Sequence, residues 1–522
     1  MKMAGAGKLV FARKASGLVR ELTPLDVVIW AIAAPAITGF LYFAPQSVYM
    51  YGVTSIMIAY ILGLVVFIVP LLAIGFLVSA MPRAGGAFPI LSRIFPPSLS
   101  YLFAWSLLVG RGIVTGILSA TAMILLGSYV DFYGMVTHNS SLVAIGSAIS
   151  SFQGMVIGAI ILVAVLWVIG IFGAKVMKWF ERIIFTLGMA FIIILIASLF
   201  VAAPHYTSMF DSMWGAGVAE AIISKAAALG YTMPAFSWGL VAGVFFVAVF
   251  SYGGSDTITF VSGEVRNPRR FAISFVTGLL LVLALYVAAT AATGVVSKLI
   301  ASYDFLFYRH PAVLRSIVPA APAPSLPLFA LSVLPIWVSA LMVGIILIWM
   351  LKALVPIFLG ASRVPFSMAY DRTFPMVFAR TNRYGSPIWS NTLIAVITLL
   401  GLYLYTFKVS VFLSLTTLFG LSYFWLVGLA ALMFPFVRKD IFEKTPIQWK
   451  VAGFPVISII GLLALGTGLF IFTYLISELT MQARIIYVIA LAIGLIVHIY
   501  QLHRNEAEGV SLSDIYANLP PE

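Results

Sequence analysis

Three ionisable side chains stand inside long apolar runs of this sequence: Arg111, Asp256 and Lys352. A charge at the centre of a bilayer costs at least ~2.5–3.5 kcal/mol, and such residues usually face a cavity and work there. Asp256 follows the string Ser251-Tyr252-Gly253-Gly254-Ser255, where a helix is free to unwind. It either binds and releases a proton or caps the amides of the helix that restarts. Arg111 lies ~12 residues, or ~18 Å, into its run, too deep for easy snorkelling. It either lines a cavity and counters an anion, Asp256 or a bound carboxylate, or forms a structural pair. Lys352 lies about ten residues from the end of its run. Its ammonium is either a fixed or titrating cation, or snorkels ~15 Å to the interface.

The elements that must position these groups follow from composition. Of 522 residues, 62% are hydrophobic and 9% charged, against about 25% charged in soluble proteins. Apolar runs longer than ~18 residues recur, each able to cross a bilayer. They are continuous rather than alternating, which selects helices over a barrel. The expected fold is an all-α integral membrane protein with about twelve transmembrane helices. These are spans 1 to 6 near residues 25–49, 53–79, 99–129, 152–173, 181–203 and 237–262. Spans 7 to 12 lie near 271–297, 334–360, 388–407, 410–436, 453–476 and 482–502.

The net charge of +13 suggests membrane topology rather than nucleic acid. Of 30 Lys and Arg, 22 fall on one side of the spans and 6 on the other, with Arg111 and Lys352 inside. The positive-inside rule then places both termini in the cytoplasm of a multi-pass cell-membrane protein. With no cysteine, disulfides and thiolate metal sites are excluded. The five His show no metal spacing, and no protease or hydrolase motif occurs, so neither a cofactor nor an enzyme is expected.

Two spans are interrupted in mid-membrane. Span 1 reads Ala33-Ala34-Pro35-Ala36-Ile37-Thr38-Gly39 and span 6 reads Ser251-Tyr252-Gly253-Gly254-Ser255-Asp256. Proline removes a backbone donor and paired glycines permit unwinding. The breaks lie five spans apart, so the two spans run in opposite directions. That is the expected mark of a 5+5 inverted repeat with a binding site between broken helices.

Three further stretches carry a family resemblance. Met81-Pro82-Arg83-Ala84-Gly85-Gly86 follows span 2, and Phe250 to Asp256 continues to Gly263-Glu264-Val265-Arg266-Asn267-Pro268-Arg269 across span 6. Ser362-Arg363 to Ala369-Tyr370-Asp371-Arg372, then Pro375 and Pro387, follow span 8. Together they resemble the amino acid–polyamine–organocation permeases over roughly residues 22–437. The resemblance implies the leucine-transporter fold, with discontinuous helices 1 and 6 and two additional helices. The expected divisions are a tail at 1–22, five-helix repeats at 23–235 and 236–437, helices 11 and 12 at 438–502, and a tail at 503–522. The sequence departs from the family in lacking Gly-Ser-Gly in span 1 and in placing Asp256 where Glu is commoner.

The resemblance implies a secondary transporter of amino acids or related amines, working by symport or exchange. Freed amides around Thr38, Gly39 and Phe40 suit a carboxylate. Freed carbonyls around Ala33, Phe250, Ser251 and Gly253 suit an ammonium. Phe250 matches the family's aromatic gate, or else packs against lipid. Arg111 leans the substrate towards neutral or acidic amino acids. Arg83, Glu264, Asp371 and Arg372 either hold a cytoplasmic gate by pairing across loops or merely tie the loops. Sodium-coupled members carry a hydroxyl pair on span 8, whereas Trp349-Met350-Leu351-Lys352-Ala353-Leu354 offers none. Protons, through Asp256 and Lys352, are therefore the expected driver. Sodium coupling, or a sensor that binds an amino acid without moving it, remains the alternative.

Overall fold

Lipid offers no partner to an exposed amide or carbonyl, and the chain answers with helix almost throughout. A computed structural model describes residues 18, 20–35, 41, 44–319, 321–406, 409–445, 447–510 and 515–516. Among them, eleven helices are long and apolar enough to cross a bilayer, and the protein is an all-α multi-span membrane protein. Spans 2 to 5 are Val53–Ala80, Pro97–Val136, Phe152–Ile171 and Gly173–Ala202. Spans 7 to 9 are Phe271–Val295, Ile336–Tyr370 and Ile388–Tyr405, and spans 11 and 12 are Val456–Glu478 and Met481–Ala507. A two-residue β-hairpin, Lys450–Val451 with Phe454–Pro455, precedes span 11.

Three spans are interrupted. Span 1 is helix Pro24–Ala33, with Ala44–Tyr51 as the next described helix. Span 6 is helix Trp238–Tyr252 followed by the 3₁₀ helix Ser255–Glu264. Span 10 consists of Val409–Leu421 and Phe424–Val437, parted by Ser422 and Tyr423. The third interruption carries no Pro or Gly pair and was not expected from the sequence.

Span 5 also differs from expectation. Its helix begins at Gly173 rather than near 181, so Lys175, Lys178, Glu181 and Arg182 lie in its first turns. This amphipathic start holds span 1 in place. The Asp26 carboxylate accepts the Thr23 amide at 2.7 Å, and Arg182 grips it at 2.6 and 3.0 Å.

Burial separates centre from rim. In span 8, 89% of the apolar window is covered by protein, against 17% in span 12. Span 8 is therefore an axis of the bundle, while span 12 presents Val488 and Ile496 to lipid. Span 3 packs against spans 8, 9 and 10, and the first half of span 1 packs against spans 7 and 8 and the 3₁₀ half of span 6. The axis and the broken halves therefore share one interior.

Short helices join the spans at the end opposite the basic loops, among them Ser297–Arg309 and Pro311–Ile317. In the first, Asp304 is fully buried, and neither carboxylate oxygen has a hydrogen-bond partner among the described residues. Burial holds its carboxyl well above the usual carboxylate range. The folded state therefore keeps a proton that the unfolded chain gives up, and stability falls as pH rises from the unfolded value of 3.8. Asp304→Asn should raise the melting temperature at pH 7, with the gain shrinking as pH falls towards about 4. A melting series across pH measures this, and a gain that grows on acidification contradicts it.

Candidate functional site

The two breaks foreseen in the sequence meet each other. Helix Pro24–Ala33 stops because Pro35 has no amide to donate. Its last carbonyls form the negative end of a helix dipole and lack intrahelical partners. Lys352 supplies one, with Nζ 3.2 Å from the Ala33 oxygen and 3.4 Å from the Ile32 oxygen. The Trp349 ring adds a cation–π face 4.0 Å from Nζ. In span 6, Gly254 adopts φ +99°, and a Cβ there would stand 2.7 Å from the Ala34 oxygen. Only glycine allows both that backbone turn and that approach.

Asp256 lies in the first turn after the span 6 break. Its carboxylate pairs with Arg111 of span 3 and accepts the Tyr423 hydroxyl at 2.6 Å. All three side chains are buried. Asp256 makes no capping bond to the restarting helix, whose cap position is Gly254, so capping is set aside. Arg111 spans both alternatives raised by the sequence, since it pairs with Asp256 and also lines a cavity. Its buried Nε–H has no hydrogen-bond partner among the described residues. Tyr423 escaped sequence reading because a tyrosine in an apolar run counts as one more membrane residue. Its signal was the polar step Ser422-Tyr423.

The cavity measures about 40 Å³, and its walls include Arg111, Val114, Phe250, Gly253, Thr416 and Thr417. One water needs about 10–15 Å³ on such a measure, so the cavity has room for a few waters and is too small for an amino acid. Phe250 faces this cavity and is buried, not turned to lipid. Ser251 is engaged elsewhere: its hydroxyl donates to Val247 at 2.6 Å, and its carbonyl accepts Tyr286 at 2.6 Å. The Ala33 carbonyl likewise holds Lys352 rather than an open ligand position. Of the four carbonyls expected to be free, those of Ala33 and Ser251 thus have side-chain partners, and that of Phe250 accepts the Gly253 amide at 3.0 Å. Thr38, Gly39 and Phe40 lie outside the described residues.

At the basic end, the four expected gate residues do not pair with one another. Glu264 binds Arg363 of span 8 at 2.8 and 3.3 Å. Asp371 binds Arg93, with Nη2 2.9 Å from Oδ1. Both pairs are buried. Arg83 instead donates to its neighbour Pro82, and its carbonyl accepts Ser262. Arg372 reaches Glu508 at 3.5 Å. The physical reason is depth: Arg93, in the turn after the short helix Phe88–Leu91, and Arg363 of span 8 are already buried beside the carboxylates, whereas Arg83 is only half buried. The Glu264 carbonyl also receives the amides of Glu21 and Leu22 at 3.0 and 2.9 Å, so this pair fastens the entry to span 1.

Glu181 was also missed. It is fully buried in span 5, neither oxygen has a hydrogen-bond partner among the described residues, and Lys352 is close enough to act on its charge. Expectation had placed it at a helix end beside three basic residues, where a glutamate is unremarkable.

A many-spanned helical bundle whose interrupted helices meet around buried charges is the architecture of a membrane transporter. A family model described as amino acid permease matches residues 22–497, and the chain belongs to that family, within the amino acid–polyamine–organocation superfamily. A search among curated proteins finds no match. Membership makes the protein a transporter of amino acids rather than an enzyme.

Breaking a buried pair by removing one partner costs about 3–5 kcal/mol, because the other charge is left uncompensated. Arg111→Met and Asp256→Asn should each lower the melting temperature of purified protein. The double variant should recover part of the loss from Arg111→Met. Additive losses in this cycle contradict a direct pair.

Proposed function

We propose that the protein moves a neutral or acidic amino acid by alternating access, coupled to protons, with both termini cytoplasmic in a cell membrane. The proposed frame is the 5+5 repeat of residues 23–235 and 236–437, with breaks in spans 1 and 6 at its binding site. The substrate lies in an enlarged form of the cavity beside Phe250 and Gly253. Its carboxylate meets the unspent Nε–H of Arg111 and the amides around Thr38, Gly39 and Phe40. Phe250 covers it.

One observation carries the coupling: the Lys352 ammonium stands against the Ile32 and Ala33 carbonyls where span 1 ends. A cation there both donates to carbonyls that the ended helix leaves unpaired and is favoured by its dipole. When Lys352 loses its proton, the charge that holds the first half of span 1 to span 8 is lost. Proton binding and helix position are thereby the same event. Asp256, bound to Arg111 and Tyr423, is the second residue of the proposed coupling.

Uptake of labelled amino acids into reconstituted vesicles tests the reading. An acid-outside gradient should stimulate uptake and a sodium gradient should not. Lys352→Met should abolish the acid stimulation. Stimulation by sodium with indifference to pH refutes proton coupling, and binding without any flux identifies a sensor instead.

The binding residues are tested separately by equilibrium binding. Phe250→Ala should weaken affinity roughly tenfold, the equivalent of about 1.4 kcal/mol. Gly253→Val, which fills the cavity wall, should weaken it at least as much. Unchanged affinity in both variants removes span 6 from the site.

A further inference from the structure

Glu181 has no place in the mechanism above, yet its surroundings are specific. Met177, Glu181, Ile184 and Gly188 fall at helical spacing along one face of span 5 and are all buried. That face lies along span 8. At its inner end, the Met177 sulfur is 3.9 Å from Arg363 Nη2, the arginine that holds Glu264. Towards the membrane centre, a Cβ on Gly188 would stand 2.6 Å from the Trp349 ring and 3.6 Å from Lys352 Cδ. Glu181 therefore sits between the basic-end ion pair and the lysine at the span 1 break. It spans ~10 Å of helix from Gly188.

The other charges on every neighbouring element are accounted for. On span 5 itself, Lys175 is exposed, Lys178 reaches Glu21 at 3.3 Å and Arg182 is bound to Asp26. On span 8, Arg363 is bound to Glu264 of span 6. Spans 4 and 7 contain no charged residue. Lys352 remains, and it is the charge that acts on Glu181. A carboxyl with both oxygens unpaired in a dry interior is costly as an anion, so it persists there only if it holds a proton or answers the lysine.

We infer that Glu181 is the proton partner of Lys352, the group through which the transported proton passes between the lysine and the basic end of the protein. Lys352 and Glu181 form no hydrogen bond with each other, so the proton crosses on water. With Lys352 as ammonium and Glu181 as carboxylate, an N–H bond of Lys352 breaks as a water takes the proton, and that water gives a proton to Glu181, where an O–H bond forms. The products are a neutral amine and a neutral carboxylic acid. Nζ then no longer holds the Ile32 and Ala33 carbonyls as a cation. Parting of Arg363 from Glu264 opens the way to water, and Glu181 gives its proton to that water. Inward movement of the proton is complete, and each charge change takes place beside the helix it releases.

This inference rests on proton coupling, and the experiment separates the two. Wild type, Glu181→Gln and Glu181→Asp are reconstituted, and uptake of labelled amino acid is followed over a range of acid-outside gradients. Wild-type stimulation with a loss of roughly tenfold or more in Glu181→Gln, partly restored in Glu181→Asp, supports the inference. A wild type that responds to acid beside a Glu181→Gln that responds equally overturns the role of Glu181 alone. A wild type that ignores acid overturns the coupling and this inference with it. Melting of Glu181→Gln, Lys352→Met and the double variant guards against a folding defect. Glu181→Gln leaves a lone buried cation and Lys352→Met a lone buried acid, so the double variant should melt above the sum of the two losses. Strictly additive losses contradict the pairing.

Discussion

A helix interrupted inside hydrocarbon leaves carbonyls that lipid cannot satisfy, and the organisation of this protein follows from how they are satisfied. At the end of the first half of span 1, the partner is the Lys352 ammonium. At the end of the first half of span 6, it is the Tyr286 hydroxyl on Ser251. Tyr252, next in the chain, sends its own hydroxyl to the Tyr60 carbonyl of span 2 at 3.0 Å. Each partner comes from a different span, so the breaks bind spans 2, 7 and 8 around them. The unwound backbone is tolerated because it is buried in protein.

The buried ion pairs fit the same logic. Arg111–Asp256 lies by the breaks, while Glu264–Arg363 and Arg93–Asp371 lie at the basic end. Such pairs add little net stability, since desolvation nearly cancels attraction. Their use lies in being specific and separable: once water enters, hydration replaces what the partner supplied. At the basic end, ion pairs rather than leucines tie the elements together.

Much of the fold is legible in the amino-acid sequence. Continuous apolar runs, short basic loops and two foreseeable breaks give the span order, and the structure follows it closely. Hydropathy cannot see partners, however. It foresaw Asp256 but not Tyr423, which hides among apolar residues, and Glu264 but not its arginine at 363, 99 positions away. It also placed the start of span 5 eight residues late, because charges on a buried helical turn look like a loop. That single error hid Glu181. Misplaced helix ends conceal chemistry where charged turns dip into the protein.

The contact between Gly254 and the Ala34 carbonyl has one more consequence. With no side chain at 254, the turns of spans 1 and 6 touch backbone to backbone. Side chains can change rotamer and absorb a displacement, but packed main chain cannot. The two turns are therefore meshed like the teeth of a gear, with almost no play between them. A push of either half-helix towards the other meets main chain rather than a yielding side chain, so two bends far apart in sequence form one rigid contact.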